Sequence, residues 1–128
     1  MAQEKQFEEK VKRFLTDQGT WFIKYWGGGL YTKDGIPDLL VCSFGRFVAV
    51  ELKAHNGEPT DLQLRALHEI DKAGGAAILL YPDDLPIFRQ LMQRMVEISH
   101  EEPEFFVEYL YFRKVRQEWE RKHNLNFG

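Results

Sequence analysis

Three charged side chains stand in two short apolar stretches, at positions that could bring them together. The residues on either side of Phe44-Gly45 are rich in β-branched and aromatic side chains, a pattern that predicts a β-hairpin. Asp38 lies near the start of its first strand, and Glu51 and Lys53 lie at the end of its second. Two carboxylates with a lysine beside them are suited to hold a hard divalent cation.

The length of the turn decides whether these side chains share one face of the sheet. If Phe44 and Gly45 form a two-residue turn, Asp38 stands directly opposite Glu51, with their Cβ atoms about 5 Å apart. Strand alternation then places Lys53 on the same face. A three-residue turn would move Glu51 to the other face, and glycine at the second turn position favours the short turn. Opposed carboxylates repel each other, so the short turn predicts a cation between them.

Size and composition fit one domain spanning residues 1–128. The single cysteine, Cys42, excludes a disulfide framework, and its place in an apolar strand predicts a small buried thiol. No apolar run approaches the roughly 18 residues that a membrane span needs. The chain begins with a charged stretch instead of an apolar signal core. We therefore expect a cytoplasmic protein with no membrane partner.

A helix predicted over residues 3–18 carries a candidate for the same site. On a helical wheel, Glu8 borders the apolar stripe, whereas Glu9 points almost the opposite way. Glu8 could therefore reach over the sheet on which the helix packs. A solvated carboxylate at the edge of the stripe is the alternative interpretation.

A second helix is predicted from Thr60 to about Ala73, closed by Gly74-Gly75. Thr60 and Gln63 match a capping box, in which the Gln63 side chain reaches back to the first amide. Capping explains Gln63 completely and therefore competes with any functional role for it.

The remaining elements complete an α/β chain. An unbroken apolar run at 76–81 suits a central strand buried on both faces. A strand is predicted at 21–26, and a helix at 85–99 with Asp84 as its candidate N-cap. The order is α-β-β-β-α-β followed by two further helices, which predicts a mixed sheet flanked by helices.

Three further features have an ordinary interpretation beside a functional one. Gly27-Gly28-Gly29 could form a flexible flap beside a substrate groove, although no phosphate-loop motif follows it. Lys24 could touch a phosphate, but a surface lysine with a buried stem is the commoner case. His55 follows the second hairpin strand and could meet a substrate, yet an exposed loop histidine is more common.

The last predicted helix, residues 105–123, is aromatic at its start and basic at its end. Residues 105–112 alone could pass for a strand, but Pro103 and helical spacing favour a helix. Its aromatic residues either bury against a partner subunit or pack on the chain's own core. The net charge of −3 does not suggest a nucleic-acid binder, but a basic end from Arg113 to Lys122 could contact phosphates.

Taken together, these positions resemble the PD-(D/E)XK nuclease superfamily, and within it the VRR-Nuc group of virus-type replication–repair nucleases. The resemblance rests on Glu8, Gly35-Ile36-Pro37-Asp38, Val50-Glu51-Leu52-Lys53, Gln63 and Gly74-Gly75. It covers about residues 4–82 and leaves a helical extension, about 84–123, outside. It implies a restriction-endonuclease-like αβββαβ core, like that of the small stand-alone members in phages and bacteria.

The resemblance also implies an activity, the hydrolysis of DNA phosphodiester bonds to leave a 5′-phosphate and a 3′-hydroxyl. Asp38 and Glu51 would ligate Mg²⁺ or Mn²⁺, with the Leu52 carbonyl as a further candidate ligand. Lys53 would orient or activate the attacking water and add positive charge at the transition state.

Two other residues and the partners follow from the same resemblance. Glu8 would help to hold the metal or its water shell, and Gln63 would position Lys53 and the water. The expected substrate is branched DNA, such as a Holliday junction or a flap, in replication, repair or recombination. We expect a homodimer, because a two-fold dimer cuts two strands symmetrically.

Two other classes of function stay open. The first is a catalytically silent module of the same fold that binds nucleic acid, which should have lost a ligand or the lysine. The second is an interaction protein whose aromatic last helix is its purpose. Such a protein would have no metal affinity at Asp38 and Glu51.

Overall fold

A four-stranded mixed sheet forms the middle layer of the molecule. The computed structural model describes residues 2–26, 34–98 and 100–128. Within them the strand order is β1-β2-β3-β4, with β1, β2 and β3 antiparallel and β4 parallel to β3. The elements are α1 (Ala2–Asp17), β1 (Trp21–Lys24), β2 (Leu39–Ser43), β3 (Arg46–Leu52), α2 (Asp61–Lys72), β4 (Ala76–Leu80), α3 (Leu85–Glu97) and α4 (Val107–Lys122).

The predicted α/β class is confirmed, because helices cover both faces of this sheet. The hydrophobic surfaces of α1, α3 and the start of α4 pack on one face, and α2 packs on the other. The larger core is built from Phe7, Val11, Leu15, Val41, Val48, Val50, Ile78, Phe88, Leu91, Phe106 and Phe112. No helix of the described residues is long and apolar enough to cross a membrane.

The hairpin between β2 and β3 has the predicted register. Ser43 pairs with Arg46, and the ladder continues to Leu39 opposite Val50. Phe44 and Gly45 both have positive φ, 52° and 87°, which are typical of a two-residue hairpin turn. The pairing of Ser43 with Arg46 confirms the two-residue turn. Extending the ladder by one position beyond Leu39 and Val50 then sets Asp38 opposite Glu51.

Strand β4 is fully buried, as its apolar run predicts, but its predicted central position is wrong. β4 ends the sheet in the described part of the chain. Helix α4 covers this edge, and the Tyr109 hydroxyl accepts a hydrogen bond of 2.9 Å from the Ala77 amide. The edge strand is therefore buried by a helix instead of by a fifth strand.

The prediction that Cys42 is a buried core thiol is also wrong, because its side chain is exposed. Its cross-strand neighbours on the same face are Trp21 and Phe47, which are 67% and 45% exposed. This corner of the sheet face is open to solvent. An apolar strand sequence therefore did not imply burial on both faces here.

Helix α3 begins at Leu85, as predicted, whereas helix α4 begins two residues later than predicted. Asp84 stands at the N-cap position of α3 but makes no cap hydrogen bond, and its carboxylate accepts a 2.7 Å bond from the Tyr111 hydroxyl. α3 ends at Glu97, and residue 99 lies outside the described residues. Helix is confirmed over strand for the last element, which starts at Val107 after a short 3₁₀ turn.

Candidate active site

The segment that leads to Asp38, just before β2, packs closely against helix α2. Gly35 has a φ of 79°, and a Cβ atom there would stand 2.5 Å from the Leu62 carbonyl oxygen. Only glycine fits this close approach without strain. One Asp38 carboxylate oxygen then accepts a 2.8 Å hydrogen bond from the Leu52 amide across the hairpin.

Glu51 is the most unusual side chain of the site, because a carboxylate is buried with one oxygen unpaired. The residue is 3% exposed, and Oε1 has no hydrogen-bond partner in the described part of the chain. Oε2 lies 3.4 Å from the Lys53 ammonium. Buried carboxylate oxygens are normally paired, so this atom indicates a place for a ligand.

Both carboxyl groups have a raised pKa, because burial disfavours their charged form. Burial, and then the negative charge of Asp38, raise the pKa of Glu51 to about 7, although Lys53 opposes the shift. Burial likewise raises the pKa of Asp38, against the hydrogen bond from Leu52. A positive charge between the two groups would remove this cost.

These donors fit a hard divalent cation. Mg²⁺ commonly takes one or two protein carboxylates and completes its shell with water and substrate phosphates. The hairpin offers the carboxylates of Asp38 and Glu51, and Glu51 Oε1 has no hydrogen-bond partner among the described residues. Across residues 2–26, 34–98 and 100–128, no three His, Cys, Asp or Glu side chains group closely enough to hold a metal together. The described residues therefore fit a metal site with two protein carboxylates, Asp38 and Glu51.

Glu8 reaches over the sheet, as the helical wheel predicts, but its carboxylate is bound by lysines. Lys24 donates to both of its oxygens, at 2.7 and 3.0 Å, and Lys12 lies at 3.0 Å. Partial burial would raise the pKa of Glu8, but these lysines outweigh it and lower that pKa. Glu8 is near enough for its charge to raise the pKa of Asp38.

Gln63 forms the predicted capping box. Its side-chain oxygen accepts a 2.9 Å hydrogen bond from the Thr60 amide, and its own amide donates to the Thr60 hydroxyl at 3.1 Å. No hydrogen bond joins its side chain to Lys53. The structure therefore places Gln63 at the start of α2, with its carbonyl oxygen already engaged.

Lys24 is a cation at the edge of the site, a residue for which the sequence left two roles open, a phosphate contact or a surface lysine with a buried stem. It pairs with Leu39 in the sheet, beside Asp38, and its ammonium lies between Glu8 and the Trp26 ring. Its charge lowers the pKa of Asp38. The sequence feature that could have identified Lys24 as a site residue is its position in the first strand, one residue from the position opposite Asp38.

The other candidate contacts fall in ordinary places or outside the described residues. His55 is exposed, with its ring nitrogen 3.9 Å from an Asp83 oxygen. The glycine-rich flap at 27–29 lies outside the described residues. Phe106 and Tyr109 are buried in the chain's own core, whereas Phe105 is exposed.

The basic end of α4 is partly internal. Arg113 and Arg116 both bind the Asp71 carboxylate, with nitrogen–oxygen distances of 2.9 and 2.7 Å. Arg116 is 1% exposed. These two guanidinium groups join α4 to α2, which leaves Lys114, Arg121 and Lys122 as the exposed basic residues of the helix.

Comparisons with protein-family models, with curated proteins and with solved structures found no match.

Proposed function

We propose that this chain is a metal-dependent endonuclease of the PD-(D/E)XK superfamily, in its VRR-Nuc group, that hydrolyses DNA phosphodiester bonds. One observation carries the proposal. The carboxylate of Glu51 is buried with Oε1 unpaired, in register with Asp38 and 3.4 Å from the Lys53 ammonium. A structural role alone would not favour this arrangement, because burying a carboxylate oxygen without a hydrogen-bond partner costs stability.

Asp38 and Glu51 would hold Mg²⁺ or Mn²⁺, with the Leu52 carbonyl as a further ligand. The ion, when bound, supplies a bound water of lowered pKa and positive charge at the scissile phosphate. The Leu52 amide fixes the Asp38 carboxylate, so this ligand is oriented before the substrate arrives.

Lys53 would act on the attacking water and on the phosphate. Its ammonium lies beside Glu51, and its side chain is 15% exposed, so it can donate hydrogen bonds toward a bound phosphodiester. A fixed cation aimed at the charge that develops in the transition state lowers the barrier without reorganisation.

Glu8 and Gln63 would support these groups. Glu8 holds Lys24 at the edge of the site and would order the water shell of the metal ion. Gln63 fixes the first turn of α2, against which the Gly35 segment leading to Asp38 packs. Their proposed role is mainly to position the other groups of the site.

The proposed substrate is branched DNA, cut by a homodimer. The support is the resemblance to VRR-Nuc nucleases, together with the need of a junction resolvase to cut two strands symmetrically. Light scattering at micromolar concentration tests the dimer, and a monomer there would contradict it.

Cleavage of supercoiled plasmid and of junction DNA tests the proposal. Wild-type protein should nick DNA with Mg²⁺ and not with EDTA, and Lys53→Ala should lose about 100-fold or more of the rate. Lys5→Ala, an exposed lysine on α1, is the matched control and should cut normally. Nicking that persists in EDTA or in Lys53→Ala would overturn the mechanism.

A binding measurement separates the silent module from the enzyme. Lys53→Ala should still bind DNA and Mn²⁺, whereas Asp38→Asn should lose Mn²⁺ binding in a calorimetric titration. A wild-type chain that binds DNA but cuts none of the substrates would favour the silent module.

A further inference from the structure

The loop that follows Lys53 is hydrogen-bonded to an aromatic side chain directly after strand β4. The Tyr81 hydroxyl donates a 2.7 Å hydrogen bond to the Gly57 carbonyl oxygen. The Tyr81 ring packs, together with Trp119 of α4, against the buried cluster of Leu67, Ala77 and Leu79. The loop is also closed locally, because the Gly57 amide donates to the Ala54 carbonyl at 2.9 Å.

Gly57 packs directly against the side chain of Lys53. A Cβ atom at Gly57 would stand 3.3 Å from Lys53 Cδ and 3.3 Å from the Ala54 carbonyl oxygen. The Lys53 backbone is held separately, because its amide donates a 3.0 Å hydrogen bond to the Leu80 carbonyl. The strand ladder thus fixes the start of this side chain, and the Gly57 loop supports its stem.

The Tyr81 hydroxyl keeps this bond throughout the neutral pH range. Burial, and then the nearby charge of Glu58, raise the pKa of Tyr81 to about 12. The group therefore stays protonated and can donate to Gly57.

We propose that Tyr81 is a positioning residue that holds the Gly57 loop against Lys53. Lysine has a flexible four-carbon stem, and an unsupported ammonium would spend less time beside Glu51 and the phosphate. This inference rests on the proposed role of Lys53.

Tyr81→Phe removes the hydroxyl and keeps the ring. With Mg²⁺ and a junction substrate, kcat should fall about fivefold with KM unchanged, because one neutral hydrogen bond is lost and no DNA contact changes. Tyr111→Phe is the matched control, since its hydroxyl donates to Asp84 instead. It should keep kcat and KM within about twofold of wild type.

A further variant tests the contact between the loop and Lys53. Gly57→Ala keeps the Tyr81 bond but crowds the Lys53 stem, and should lower kcat about tenfold. Circular dichroism at the assay temperature confirms that each variant is folded.

Amide hydrogen exchange supplies a measurement that does not need activity. The Gly57 amide should exchange about fivefold faster in Tyr81→Phe than in wild type or Tyr111→Phe. If wild-type protein cuts no DNA, the proposed function fails, and exchange still decides whether the hydroxyl holds the loop. Unchanged exchange at Gly57, an unchanged kcat in Tyr81→Phe, or an equal kcat loss in Tyr111→Phe would overturn the inference.

Discussion

A buried carboxylate with one unpaired oxygen costs stability, and Glu51 is such a group. The hairpin turn sets Asp38 across from it, the strand buries it, and Lys53 offsets only part of the charge. A site that binds a cation gains from such prior burial, since the ligands are oriented and desolvated before binding.

Glu51 should make the metal-free protein less stable as the pH rises. Its pKa is about 7 in the folded chain, against an ordinary value of 4.5, so the folded state binds this proton more tightly. The resulting stability is fully present below about pH 4.5 and is lost as the pH rises through about 7, an effect on the order of 3 kcal/mol. Urea unfolding in EDTA of wild type and Glu51→Gln, at about pH 5 and pH 8, measures it.

Glu51→Gln should lose this part of the pH dependence and be the more stable protein at the higher pH. Asp83→Asn, at an exposed carboxylate, is the control and should follow wild type. Adding Mg²⁺ at the higher pH should raise the Tm of wild type and not that of Glu51→Gln. An equal pH dependence of the free energy of unfolding in wild type and Glu51→Gln would contradict the assignment of this effect to Glu51.

Cys42 should react with a thiol reagent in the native protein. Its side chain is exposed at the open corner of the sheet, so labelling needs no unfolding. The rate with Ellman's reagent should be within about tenfold of that in urea, and mass spectrometry should find one label per chain. Labelling only after unfolding would mean that this corner is covered in solution.

At the scale of elements, the close packing of Gly35 against α2 fixes the segment that carries Asp38. Gly35→Ala should cost about 2 kcal/mol or more, because the new methyl group meets the Leu62 carbonyl and the backbone has positive φ. Gly74→Ala is a matched control, with a φ of 99° and nothing within 4 Å of the new carbon.

Gly74→Ala should therefore cost only the strain of its backbone, about 1 kcal/mol. Urea unfolding of both variants gives the difference. Because the displaced segment carries Asp38, Gly35→Ala should also weaken Mn²⁺ binding, and Gly74→Ala should not. Equal stability losses in the two variants would show that the close approach does not matter.

At the scale of the whole molecule, Asp71 joins the helical extension to the core. It accepts hydrogen bonds from Tyr109, Arg113 and Arg116, of which Arg116 is almost wholly buried. The charges lower the pKa of Asp71 against the effect of its burial. The extension is therefore bound by a shared ion pair and by apolar packing.

Asp71→Asn should destabilise the protein by about 2–3 kcal/mol, because the buried Arg116 guanidinium loses one of its two carboxylate partners and keeps only Glu120, at 2.6 Å. Glu104→Gln, which breaks an exposed 3.4 Å pair with Arg113, is the control and should cost within about 1 kcal/mol. Chemical denaturation of both variants measures the difference. A loss in Asp71→Asn no larger than the control's would contradict this role.

Local features were determined by the sequence alone. The apolar periods predicted the helices and strands, Phe44-Gly45 predicted the turn and hence the Asp38–Glu51 register, and Thr60 with Gln63 predicted the capping box. Each depends on neighbours within a few residues along the chain or across one hairpin, so residue type and spacing contain the needed information.

Only the tertiary structure decided which surfaces are covered and which charges are paired. It placed β4 at a covered edge, exposed Cys42, bound Glu8 to Lys24 and turned Arg116 inward to Asp71. Burial and ion pairing depend on elements distant in sequence, whose packing no local pattern specifies. The same holds for Tyr81, whose hydrogen bond to Gly57 exists only because the end of β4 meets the loop after Lys53.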